Sequence, residues 1–180
     1  MNALKKQVLS LANNVASTTL LSIQKYSLAV RAAQLNSRPP IVSAIADIPL
    51  AKAREIYREV TGRQPIKGQL PSDNTFYISE VNCHLESVWL VQAYRLFAKP
   101  TDDVYTQREC LFVAYEMYQS KFPKQAISFD RFFYLIRLTF TSDEISLTYC
   151  NKCSSAKLLV KTWDPNKIVK CPICHLSAYG

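Results

Sequence analysis

The sequence predicts a mainly α fold, a helical body followed by a small cysteine-held ribbon, and three observations carry that prediction. Only three glycines occur, Gly62, Gly68 and Gly180, among stretches rich in Leu, Ala, Lys, Glu and Gln, a composition that favours helix over sheet. Apolar residues recur at helical spacing through most of residues 3–140. After residue 143 the texture changes to short β-prone runs around two CxxC pairs. With 180 residues, 48% of them hydrophobic, the chain can form one compact body and a small appendage, expected as 1–143 and 144–180.

The first helix is expected over 3–35. Leu4, Val8, Leu11, Val15, Thr18, Leu21 and Leu28 approximate a heptad-like stripe, which must be buried against this chain or a partner. The Pro39-Pro40 pair ends it, and two short helices follow at about 41–47 and 49–61, with Gly62 as the stop of the second. Residues 63–74, RQPIKGQLPSDN, read as a loop. A helix begins near Asp73 or Asn74 with Tyr77, Val81, Leu85, Val88 or Trp89, and Leu96 on one face, closed by Pro100. Asp102 or Asp103 caps the next, where Val104, Leu111, Ala114 or Tyr115, and Tyr118 repeat. The last helix starts near Ser128, with Phe132, Leu135, Ile136 and Phe140 inward. Phe129, Phe132, Phe133 and Tyr134 read as core rather than as a platform for stacking bases. Three β-prone runs follow, Ile145 to Tyr149, Leu158 to Trp163 and Ile168 to Lys170, with a turn at Asp164-Pro165-Asn166.

Several function classes are set aside by composition. No GxGxxG or GxxxxGK[ST] phosphate loop is present. The two histidines sit near no nucleophile or carboxylate pair, so the chain reads as a non-enzyme. No run of about 18 apolar residues spans a membrane. The N-terminal residues lack the apolar core of a signal peptide, which points to the cytoplasm. The net charge of +8 is uneven: residues 1–62 hold eight basic residues against Asp47, Glu55 and Glu59, while 63–140 hold nine against eight. Such an excess suits a polyanion, whose neutralised phosphates release counterions, though a solvated surface would look the same.

The strongest single motif is C-x2-C-x17-C-x2-C, formed by Cys150, Cys153, Cys171 and Cys174. Paired CxxC units in a reducing compartment hold metal more often than they form disulfides. Two intervening residues let both sulfurs face one ion, and four thiolates complete the shell of one structural Zn2+ per chain, with no position open for catalysis. An iron–sulfur cluster, or His175 replacing one cysteine, are the alternatives. Cys83 and His84 are adjacent on a helix and point about 100° apart, so they do not readily share a metal; Cys83 and Cys110 read as small buried apolar groups.

A second stretch, IVSAIADIPLAKAREIYREVTG (residues 41–62), fits a helix-turn-helix-like segment. Ser43 or Ala44 is the small residue at the crossing, Asp47 sits in the turn where glycine is customary, and Ile48, Ala53 and Ile56 are the apolar positions. The second helix then presents Lys52, Arg54, Glu55 and Arg58 to the major groove, with Arg63 and Lys67 on phosphates.

Together these features resemble the FlhC family, subunits of the bacterial flagellar master transcriptional activator that work with FlhD. The resemblance rests on IYREVTGRQPIKGQLPSDNTFY (56–77) with its KGxLP loop, the Trp89 helix, AYRLF (93–97), YCNKC (149–153) and CPIC (171–174). It implies a hetero-oligomer with an FlhD-like subunit, promoter DNA upstream of flagellar operons, activation through RNA polymerase, and structural metal on Cys150, Cys153, Cys171 and Cys174. Asp47, Pro49 and Ala53 depart from the family's pattern. Lys52, Arg54, Arg58, Arg63 and Lys67 rest on the residues alone, not on the resemblance. The alternative is a zinc-ribbon interaction protein that modulates an activator without specific DNA binding of its own.

Overall fold

The structure, a computed structural model, describes residues 19–65, 68–161 and 169–177. They form two compact units, divided between residues 66 and 67. That division precedes the change of texture at 143, because the cysteine-bearing hairpin belongs to the same compact unit as the helices before it.

In the first unit, α1 is helical over the described residues 19–34, and the part of the expected helix before it lies outside them. Leu28, Ala29, Ala32 and Ala33 are its buried face, while Leu21, expected on the buried stripe, is exposed. The alanines do the close packing because they let backbones approach, which a leucine seam does not. Asn36, at φ 56°, ends the helix in the left-handed region that asparagine tolerates. Pro39 and Pro40 therefore do not end α1; they start α2 (Pro39–Ala46), where the fixed φ is already helical and the missing N–H has no helical partner to lose. Helix α2 buries Ile41, Val42, Ile45 and Ala46. Helix α3 (Leu50–Thr61) buries Ala53, Ile56 and Tyr57 and ends at Gly62, whose φ of 66° is open to glycine without strain.

The second unit begins with a 3-10 turn, Asn74–Ile78, capped by Asp73, whose Oδ1 accepts from the Thr75 amide at 2.8 Å. Helices α4 (Val81–Phe97), α5 (Val104–Lys121) and α6 (Phe129–Phe140) follow, with Asp103 and Ser128 capping the last two as expected. Phe112 stacks on Phe129 at 5.2 Å and Tyr115 on Phe132 at 5.8 Å, so Phe129 and Phe132 are core as expected, whereas Phe133 and Tyr134 are half-buried. Three residues expected inward are not: Leu96 (72% exposed), Val104 (56%) and Phe140 (47%). Each lies in the first or last turn of its helix, where the apolar stripe runs past the neighbour that covers it.

The inner face of α4 is unexpectedly polar. Glu86 is buried and accepts from the Tyr118 hydroxyl and, at 2.8 Å, from the Ala126 amide. The Tyr118 oxygen in turn accepts from the Ile127 amide at 3.0 Å. Burial, then the bond to Glu86, pushes the Tyr118 hydroxyl far above its usual range, so it stays a donor.

Strands β1 (Ile145–Tyr149) and β2 (Ala156–Val160) pair antiparallel, with Ile145 opposite Val160 and Tyr149 opposite Ala156. The hairpin thus joins the first and second β-prone runs. The expected turn at 164–166 lies outside the described residues, and Val169 and Lys170 are not in a strand. Strand β2 packs on α4 and β1 on α6, burying Ile145, Leu158 and Val160. A short helix, α7 (Pro172–Ser177), carries the second cysteine pair and also packs on α4.

Candidate metal centre and helix pair

The hairpin closes through its first cysteine pair. The Cys150 amide donates to the Ser155 carbonyl and the Ser154 amide to the Cys150 carbonyl, both at 2.9 Å. Ser154 takes a left-handed φ of 57°, which folds the chain back and turns both sulfurs to one side. Helix α7 brings Cys174 to Cys150 (Sγ to Sγ 3.8 Å) and Cys171 to Cys153 (3.7 Å). All four sulfurs lie within 4.8 Å of one another. A tetrahedral ion with metal–sulfur bonds of about 2.3 Å spaces its sulfurs about 3.8 Å apart, so the donor set and its edges fit a closed four-thiolate shell such as zinc takes.

Electrostatics in the shell favour a cation. Backbone amides of Cys153 and Lys152 hold the Cys150 thiol below its usual range, and hydrogen bonds from Ser155 do the same for Cys153. Cys174 is pushed the other way, chiefly by its neighbour Cys153. Placing a further negative sulfur beside Cys150 and Cys153 is unfavourable until a metal neutralises them. The four expected cysteines are thus brought together; the side chain of His175 lies outside the described residues, and four sulfurs complete the shell without it.

The helix pair α2–α3 turns at Asp47, with φ 52° and ψ 54°. This is the conformation for which glycine is customary, and aspartate is among the few other residues that accept it. Two hydrogen bonds hold it there: Lys25 of α1 donates to the Asp47 carboxylate at 2.7 Å and to its carbonyl at 3.1 Å. The Ser43 hydroxyl donates to the Ile48 carbonyl at 2.6 Å, so Ser43 fills the crossing position, whereas Ala44 is exposed. Ala53 and Ile56 are buried as expected. Lys52, Arg54, Arg58 and Arg63 are all exposed, and Lys67 lies outside the described residues. Lys52 pairs with Glu55 at 2.8 Å, and that bond raises its pKa further. Arg58 Nε donates to the Arg54 carbonyl at 3.2 Å.

Sequence reasoning missed what His84 does. It is buried on α4, and its Nε2 accepts the Leu158 amide of β2 at 2.9 Å. Burial, with Lys157 adding to it, lowers its pKa to about 4, so the imidazole is neutral and fit to accept. A polar residue on a helix's inner face was the available signal, but its partner lies 74 residues away.

The family model for the flagellar transcriptional activator FlhC matches residues 15–179. The chain belongs to the FlhC family. Relatives described as flagellar transcriptional regulator FlhC include one from Gallionella capsiferriformans, 24% identical over 88% of this chain and 87% of the relative. One from Thauera aminoaromatica is 25% identical over 82% of this chain and 75% of its own length, and one from Cupriavidus pinatubonensis is 24% identical over 89% and 76%. FlhC proteins are transcriptional regulators rather than enzymes, and among the described residues no helix is long and apolar enough to cross a membrane.

Proposed function

We propose that this FlhC chain is a DNA-binding subunit of a transcriptional activator, acting with FlhD in a hetero-oligomer at flagellar operon promoters in the cytoplasm and engaging RNA polymerase there. The observation that carries the reading is the α2–α3 pair: a tight turn at Asp47 and a second helix with Arg54 and Arg58 exposed, followed by Arg63 just past its end. One structural Zn2+ bound by Cys150, Cys153, Cys171 and Cys174 keeps the hairpin closed. In this reading residues 1–143 meet partner and DNA, and 144–180 hold the metal. Exposed Leu20, Ile23 and Tyr26 favour α1 over the buried aromatic helices as the FlhD-facing surface.

The test is promoter binding by the FlhD-containing complex at several salt concentrations. Replacing Arg54, Arg58 and Arg63 with alanine is expected to weaken binding with assembly intact. The salt dependence should also flatten, by about 0.9 in log–log slope for each phosphate that is no longer neutralised. A complex with no preference for promoter over random duplex overturns the reading. The same exposed apolar residues of α1 also suit an interaction module that modulates an activator. Unchanged regulation by the triple-alanine variant would favour that second reading.

A further inference from the structure

We infer that α3 reads DNA through one strip, Leu50, Ala51, Arg54 and Arg58, with Leu50 and Ala51 on thymine methyl groups, while Lys52 faces away from the bases. This rests on the proposed DNA-binding role of α3 and names what that helix recognises.

Helix-turn-helix proteins place the first residues of the second helix against base edges. Here those residues are Leu50 and Ala51, and both are exposed, Leu50 by 37%. At about 100° per residue, Leu50, Arg54, Arg58 and Ala51 fall within one arc of about 100° that flanks the buried face of Ala53, Ile56 and Tyr57. The exposed residues Lys52, Glu55 and Glu59 fall together on the adjoining arc. Lys52 and Glu55 are paired there at 2.8 Å, and Glu59 adds a further negative charge. That side is net negative and is repelled by phosphate. The strip beside it carries two guanidinium groups and no acid, so charge alone selects which face turns to DNA.

Within the strip the leading residues are apolar. Alanine and other apolar side chains in the major groove contact the C5-methyl group of thymine, the one apolar feature a base edge offers there. Arg54, one turn further, then has the geometry to reach guanine O6 and N7 or a phosphate.

The experiment uses the FlhD-containing complex on a flagellar promoter fragment in which single thymines of the footprint are replaced by deoxyuridine, which removes only the methyl group. One or two replacements are expected to weaken binding about fourfold each, the effect of one buried methyl. Leu50→Ser or Ala51→Ser is expected to abolish that difference at the same positions, while melting of the protein is unchanged. Replacing Lys52 and Glu55 together with alanine is expected to keep affinity within about twofold. No sensitive thymine, sensitivity that persists in both variants, or a large loss from the Lys52/Glu55 replacement overturns the strip while leaving DNA binding by the complex standing. A complex that does not prefer promoter DNA overturns both.

Discussion

The two compact units hold themselves together by different means. The first relies on small and branched apolar residues, Ala29, Ala32, Ile41, Ile45, Ala53 and Ile56; among its described residues it buries Ser37 but no charged side chain, and leaves Lys25, Arg31 and Arg38 half-buried. The second buries polar groups at the centre of its packing: Glu86 with Tyr118, and His84 with the Leu158 amide. It also gathers four cysteines at one end. Apolar packing tolerates change in small increments, whereas a buried polar network fails sharply when one member is removed. The first unit is therefore suited to varying its surface, and the second to remaining fixed.

The largest effect that would sharpen this contrast is removal of the zinc proposed for the four cysteines. Chelation, or Cys171→Ser, is expected to abolish cooperative melting of the hairpin region, since binding free energies in structural zinc modules are about 10–16 kcal/mol. Metal analysis of protein purified without chelator is expected to return about one zinc per chain. Retained cooperative melting without metal would show that the hairpin needs no such staple.

Next in size is the polar network. Glu86→Ala strands the Ala126 amide and the Tyr118 hydroxyl, and is expected to cost about 3 kcal/mol in denaturant unfolding. A change below about 1 kcal/mol would show that the network is dispensable.

The His84 link makes a pH prediction of up to about the same size. Its pKa is depressed from 6.5 to about 4 in the folded chain, so the unfolded chain binds a proton first as pH falls. Stability is then full above about pH 6.5, falls between about 6.5 and 4, and loses up to about 3 kcal/mol across that window. Unfolding measured from pH 7 to 4 checks the slope, which His84→Ala is expected to reduce.

The smallest effects belong to the first unit. Asp47→Gly relieves the left-handed backbone while removing the ion pair with Lys25, and is expected to change stability by less than about 0.5 kcal/mol. Asp47→Ala keeps the strained backbone and is expected to cost about 1 kcal/mol. Equal effects of the two would mean that the Lys25 pair, not the turn geometry, sets the cost.

Local signals were legible in the sequence wherever a residue's neighbours in the chain determine its role. Asp103 and Ser128 cap, Gly62 stops α3, and β1 spans Ile145–Tyr149, all as expected. The four cysteines were legible because their spacing is itself the chemistry. What could not be read depends on distant partners. Nothing near Glu86 announces Tyr118 or Ala126, and nothing near His84 announces β2. Pro39 and Pro40 misled because proline stops a helix from one side and starts it from the other. Leu96, Val104 and Phe140 misled because periodicity does not say where a covering neighbour ends.

The bond from Leu158 to His84 has one more consequence. The Leu158 amide is bound by a buried imidazole of α4, so its hydrogen exchanges with solvent only when strand and helix part. That single amide is a clock for the opening of the hairpin. Its exchange rate reports how tightly the cysteine end of the chain is coupled to the helices beneath it.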